Sequence, residues 1–164
     1  MAIRKIVVKG DETLAKKCRP VTAFDGRLAE LLDDMKETLA QANGVGLAAP
    51  QVGILRRVAI VLDANDEPME LVNPEILEQT GEQTGLEGCL SVPGRYGTVT
   101  RANHVKVRAQ DRNGAFFEVE GDGIVARCFC HEIEHLDGHL FTERVVGPLY
   151  TAEELDEIMS EGEE

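Results

Sequence analysis

At 164 residues the chain is about one domain, and 43% hydrophobic with 29% charged residues is the composition of a globular protein with a real core. A formal charge of −13 argues against a general nucleic-acid binder, which needs a surplus of Lys and Arg on the face that meets phosphate. No apolar run approaches the length of a membrane span, and residues 1–9 lack the long apolar region of a secretory signal, so the chain reads as cytoplasmic.

The first predicted element is an amphipathic helix over residues 25–41, with Leu28, Leu31, Leu32, Met35 and Leu39 on one face and Asp25 as its cap. It should end near Asn43-Gly44 and lead into Gly44-Val45-Gly46-Leu47-Ala48-Ala49-Pro50-Gln51. Two glycines before small residues allow close approach of another backbone, and Gln51 is a neutral side chain that can donate a hydrogen bond. From spacing alone the simplest reading is a turn and a packed Ala-Ala strand. A β-branched run over 57–62, turn residues over 63–68 and extended character over 70–73 predict a hairpin that stops before Pro74. A separate polar edge strand is predicted over 75–84, followed by Gly85-Leu86-Glu87-Gly88-Cys89-Leu90-Ser91. Cys89 is either a buried structural thiol or a thiolate ligand. Strands are then expected at 98–101, 104–110 and 116–120, with Asp111-Arg112-Asn113-Gly114 turning between the last two. His104 reads as a rim histidine on its strand. The four cysteines, two of them in Cys128-Phe129-Cys130, do not form the pattern of a disulfide-stapled fold, so free thiols or metal ligation are expected.

A second helix is predicted from Gly123 to about Leu140, with Ile124, Phe129, Ile133, Leu136 and Leu140 broadly opposite its histidine face. On it, His131-Glu132-Ile133-Glu134-His135 is H-E-x-x-H. Four residues advance a helix by roughly 400°, so both imidazoles can reach one metal ion, while Glu132 is placed to act as a general base on water. A catalytic metal of this kind takes three protein ligands. The metzincin pattern fails because residue 141 is Phe. Glu153 or Glu154, as in thermolysin-like peptidases, and Cys89, His104 or Cys128 remain as candidate third ligands. Cys128 can instead line a pocket, or join Cys130 in a structural Cys-Cys-His-His site that one continuous helix makes geometrically poor. Residues 152–164 carry seven acids and no base, and form a short acidic C-terminal segment, from about 148, of a single domain spanning 1–164.

Three motifs together, Gly44 to Gln51, Glu87 to Ser91 and His131 to His135, resemble those of bacterial peptide deformylases, and the likeness runs from near Ile6 to about Val146. The resemblance implies an α+β fold with antiparallel β-sheets packed around a central metal-binding helix. It implies Cys89 as third ligand beside His131 and His135, and hydrolysis of the N-terminal formyl group from formyl-methionine of nascent chains, with release of formate. In that reading Glu132 is general base and acid for attack of a metal-bound water on the formyl carbon. The backbone N–H of Leu90 and the side chain of Gln51 stabilise the oxyanion. Val45, Gly46 and Gly88 meet the peptide backbone or its side chain, and Leu86 and Cys128 help to line the methionine slot. The implied metal is Fe(II), with Zn(II), Ni(II) or Co(II) able to take the same ligands. The implied partners are N-formyl-methionyl peptides and a transient ribosome contact, with no specific nucleic acid and no membrane, and the protein is expected to be a monomer. Two departures stand out: Glu134 replaces the family's usual Asp, and the chain ends early and acidic where some members carry a long basic helix that docks on the ribosome.

Overall fold

The computed structural model describes residues 2–162. Helix α1, Gly26–Ala42, begins where the Asp25 side chain accepts from the Leu28 N–H and ends at Asn43, which takes the left-handed conformation (φ 55°). A short strand β1, Gly46–Ala48, leads through a 3-10 turn, Ala49–Val52, to β2, Val58–Leu62. β3, Pro68–Thr80, is followed by β4, Gln83–Cys89, and β5, Val92–Arg101, which form their own two-stranded sheet. β6, His104–Gln110, and β7, Phe116–Asp122, complete a five-stranded sheet of order β1-β2-β3-β6-β7, every pairing antiparallel. Helix α2, Gly123–Leu136, and helix α3, Ala152–Gly162, follow. The fold is therefore α+β with antiparallel sheets. The acidic end forms α3, and Met1, Glu163 and Glu164 lie outside the described residues. Among the described residues, no helix is long and apolar enough to cross a membrane.

The large sheet has a helix on each face. Val58, Ile60 and Val72 pack with Leu28, Leu32 and Met35 of α1, whereas Val61, Leu71, Val105 and Val107 pack with Ala126, Phe129 and Ile133 of α2. This explains the unbroken apolar run of β2, which has no solvent face to decorate with polar residues.

Three expectations are corrected. The predicted strands at 70–73 and 75–84 are largely one strand, β3, which continues through Pro74 to Thr80 in the middle of the sheet, not at its edge. Asn73, at φ 50°, absorbs the irregularity: its side chain exchanges hydrogen bonds with the backbone of Val21 and donates to Gln110, and the register with β6 shifts there. Helix α2 stops at Leu136, not near Leu140, because Gly138 adopts φ 85° against the carbonyl of Ala15, where a Cβ would approach to 2.7 Å. Finally, Ile124 is 70% exposed and does not join the packing face; it stands at the rim of the cleft described next.

Candidate metal centre

Helix α2 brings His131 and His135 to one side, with their Nε2 atoms 3.2 Å apart. From the end of β4, Cys89 places Sγ 3.3 Å from Nε2 of His135, and the three donor atoms all lie within 4.8 Å of one another. A tetrahedral ion with metal–nitrogen and metal–sulfur bonds of about 2.0–2.3 Å would separate its ligand atoms by roughly 3.3–3.7 Å. The cluster fits such an ion without rearrangement of the backbone. Among the described residues, this is the group of His, Cys, Asp and Glu side chains that converges in this way. His104 instead lies on β6 against Asp122 and Glu120, Glu153 and Glu154 are exposed on α3, and Cys130 faces the back of α2. Cys128 lines the cleft with its thiol pushed up to about 12 by burial, which keeps it protonated. Phe141, where a metzincin would carry its third histidine, stacks on the His131 ring with centroids 5.9 Å apart.

Around the ligands the polar groups are held closely. His131 Nδ1 donates to Glu87 Oε1 at 2.5 Å, which in the neutral ring fixes the tautomer and leaves Nε2 with a lone pair to offer. Glu87 is buried, yet Arg101 donates to both its oxygens (2.8 and 3.2 Å) and Arg127 to one (2.7 Å). Burial pushes the Glu87 carboxyl up, but the bonds from His131 and Arg101 outweigh it and bring it to about 2. Burial lowers His135 strongly; it opposes ionisation at His131 as well, but there Glu132, Cys89 and Glu87 raise the imidazole well above its ordinary value. Glu132 is 3% exposed and burial raises its carboxyl to about 7. Its Oε2 is 4.0 Å from His131 Nε2, and its buried Oε1 has no protein partner.

Gln51 is fully enclosed. Its Oε1 accepts from the Ala48 N–H at 2.9 Å, which aims Nε2 at Ser91 Oγ (3.0 Å) and at Cys89 Sγ (3.5 Å). Above these groups opens a cleft of about 710 Å³ whose walls include Val45, Gly46, Leu86, Gly88, Leu90 and Cys128. The residues predicted for the site are thus brought around one cleft, with Gln51 and His135 just beneath it. Strand β1 pairs only with β2, and β4 only with β5, so each presents an unpaired edge. Gly88 allows this shape because a Cβ there would meet the Tyr96 ring at 2.8 Å.

Sequence reasoning did not single out Glu87, Arg101, Arg127 or Phe141. The available signal was period two: Glu87 stands two residues before Cys89 in a strand, and so faces the same side. Nothing in the sequence pairs Arg101 or Arg127 with it.

The family model described as polypeptide deformylase matches residues 3–149. A peptide deformylase of Agathobacter rectalis is 55% identical over 150 residues, covering 92% of this chain and 94% of that protein. Peptide deformylase 1 of Bacillus subtilis is 53% identical over 156 residues, covering 94% of this chain and 97% of its own. Among solved structures, peptide deformylase from Thermotoga maritima aligns with a TM-score of 0.85 at 40% identity, over 88% of this chain and 99% of that one. A Met-Ala-Ser-bound class I type b peptide deformylase from Acinetobacter baumannii aligns with 0.82 at 38% identity, over 88% and 99%.

Proposed function

The chain belongs to the polypeptide deformylase family, and from that premise we propose how its own residues carry out the reaction. It is an enzyme that hydrolyses the formyl group from the N-terminus of nascent, formyl-methionyl peptides, and its family is metal-dependent. Cys89 at the end of β4 and His131 and His135 on helix α2 would hold the ion. Bound there, a divalent metal would supply Lewis-acid activation of a water and polarisation of a carbonyl oxygen. The single observation that carries the assignment is Glu132: a buried carboxylate with one unpartnered oxygen, adjacent to the ligand cluster and open to the cleft.

Glu132 takes the proton of the attacking water at its carboxylate and returns it to the amine that leaves with the peptide, so one side chain serves as base and then acid. Gln51 Nε2 and the N–H of Leu90 meet the negative charge that grows on the formyl oxygen. The unpaired edge of β1 at Gly46, with Gly88 opposite, accepts the peptide backbone as an added strand. Val45, Leu86 and the protonated thiol of Cys128 form the methionine slot.

The ion proposed for the cell is Fe(II), with Zn(II), Ni(II) or Co(II) able to bind the same donors, because a Cys-His-His set does not select among them by ligand type. Residues 1–164 act as a single catalytic domain and monomer in the cytoplasm, with the acidic segment from about 148 outside the chemistry and any ribosome contact transient. The test is formate release from formyl-Met-Ala-Ser by anaerobically purified protein, with metal content read from the same sample and Glu132→Ala alongside. Turnover lost in the variant with metal retained supports the base assignment. Full turnover without Glu132 overturns it.

A further inference from the structure

A ladder of alternating charge runs from His131 to the surface. His131 Nδ1 donates to Glu87; Arg101 donates to Glu87 through Nη2 and Nε and to Glu134 Oε1 through Nη1, at 2.5 Å; and Arg144 Nε forms an ion pair with that same Glu134 oxygen, also at 2.5 Å. Side-chain exposure rises along it, from 3% at Arg101 to 16% at Glu134 and 57% at Arg144. The inner rungs are shielded from water and the last is not.

Glu134 is the rung at which the ladder can open. Its Oε2 is buried and has no partner, so the carboxylate is oriented by Oε1 alone, between two guanidinium groups. Arg144 follows the 3-10 turn Phe141–Glu143, and its segment is tied to β5: Val146 N–H donates to the Thr98 carbonyl at 2.8 Å, and Tyr96 and Tyr150 exchange backbone bonds of 2.9 and 2.7 Å. The strand that fixes Arg144 in this way is the one whose last residue is Arg101. An isolated exposed ion pair contributes little to stability. This one differs because its acid is shared with a buried guanidinium that orients the partner of a metal ligand.

We propose that Arg144 is a positioning residue for the deformylase reaction, acting through Glu134, Arg101 and Glu87 to hold the His131 ring at the metal. The inference rests on Cys89, His131 and His135 being the ligands. With Arg144 absent, Glu134 is free to turn toward solvent, Arg101 keeps only Glu87, and the carboxylate that receives His131 Nδ1–H is held from one side fewer. Groups that orient a metal ligand directly are worth roughly 10–100-fold in affinity or activity. Three rungs further out, at Arg144, the effect is smaller, roughly 3–10-fold.

The experiment uses the full chain loaded with Co(II), comparing wild type, Arg144→Ala, Arg144→Lys and Glu134→Gln. The visible cobalt absorption, the rate of cobalt release to a chelator, and kcat and KM for formyl-Met-Ala-Ser are read for each. Arg144→Ala and Glu134→Gln should shift the absorption, speed release and lower kcat roughly 3–10-fold while KM stays within about twofold, and Arg144→Lys should recover most of each. An Arg144→Ala protein whose spectrum and release rate match wild type overturns the proposal, whatever its melting temperature. If wild type itself takes up no cobalt, the ligand assignment fails instead, and this inference with it.

Discussion

Gly46 and Glu132 occupy a space that has no room for one more carbon: a Cβ on Gly46 would fall 2.5 Å from Oε2 of Glu132 and 3.0 Å from its Cδ. Strand β1 thus passes directly against the carboxylate, and its glycine sets where that carboxylate rests. Gly46→Ala is expected to displace Glu132, and a misplacement of about 1 Å can cost on the order of 10²-fold. The expected result is a fall of about that size in kcat/KM with metal content unchanged, measured on formyl-Met-Ala-Ser. Unchanged kcat/KM would mean that Glu132 works equally well from another position.

Glu87 is bonded by His131, Arg101 and Arg127 and is buried with the first two, Arg127 being half-buried. Replacing it with alanine leaves two guanidinium groups without their shared carboxylate, which costs about 3–5 kcal/mol when a buried ion pair is broken from one side. It also frees the His131 ring, for a roughly 10–100-fold loss of metal affinity. Denaturant unfolding and competitive metal titration of Glu87→Ala should show both losses. Glu87→Gln, which keeps the shape and an acceptor for His131, should recover part of the second but little of the first.

Local patterns carried most of the fold. The apolar face of α1, its Asp25 cap and the turn at Asp111-Arg112-Asn113-Gly114 are written in short range and occur where periodicity places them. What was hidden depends on partners distant in sequence. Pro74 reads as a strand terminator, but Val21 and Gln110, drawn in by Asn73, keep β3 continuous through it. Leu140 fits the helical period, but Gly138 must turn under Ala15. At the site, the histidine spacing is a property of one helix and was legible. The Glu87–Arg101–Glu134 connection spans three elements, and no single-sequence pattern couples them.

Cys18, 3% exposed, gives the fold an alkaline weakness. Its thiol packs beside Leu136 and Ala48, and burial pushes it from 9.0 up to about 11, with Arg57 opposing. The unfolded chain therefore binds fewer protons than the folded one between pH 9 and 11. The sign follows: the stability contribution is complete below pH 9 and declines as pH rises, by up to about 3 kcal/mol for a two-unit shift. Melting temperature recorded from pH 8 to 11 should fall more steeply for wild type than for Cys18→Ala. Parallel curves would assign the alkaline loss to other groups.

Two changes decide between the ligand sets that the sequence left open. Tyr150 pairs with Tyr96 of β5, and beyond it α3 exposes Glu153 and Glu154, rivals to Cys89 as third ligand. A chain cut after Tyr150 keeps that pairing and loses both glutamates together. Because the removed helix meets the rest of the described protein mainly along β5, the cut should change stability by about 1 kcal/mol or less and leave metal near one ion per chain. Cys89→Ala should do the reverse, since two imidazoles alone hold a divalent ion weakly against a chelator. Its loss of metal should also lower the melting temperature toward that of the chelator-treated wild type, because binding free energy is folding free energy for a site that forms only in the native state. Metal analysis and thermal unfolding of both proteins, prepared without oxygen, read the outcome. A truncated chain that loses its ion while Cys89→Ala keeps it would move the third ligand to α3 and leave Cys89 a packing residue.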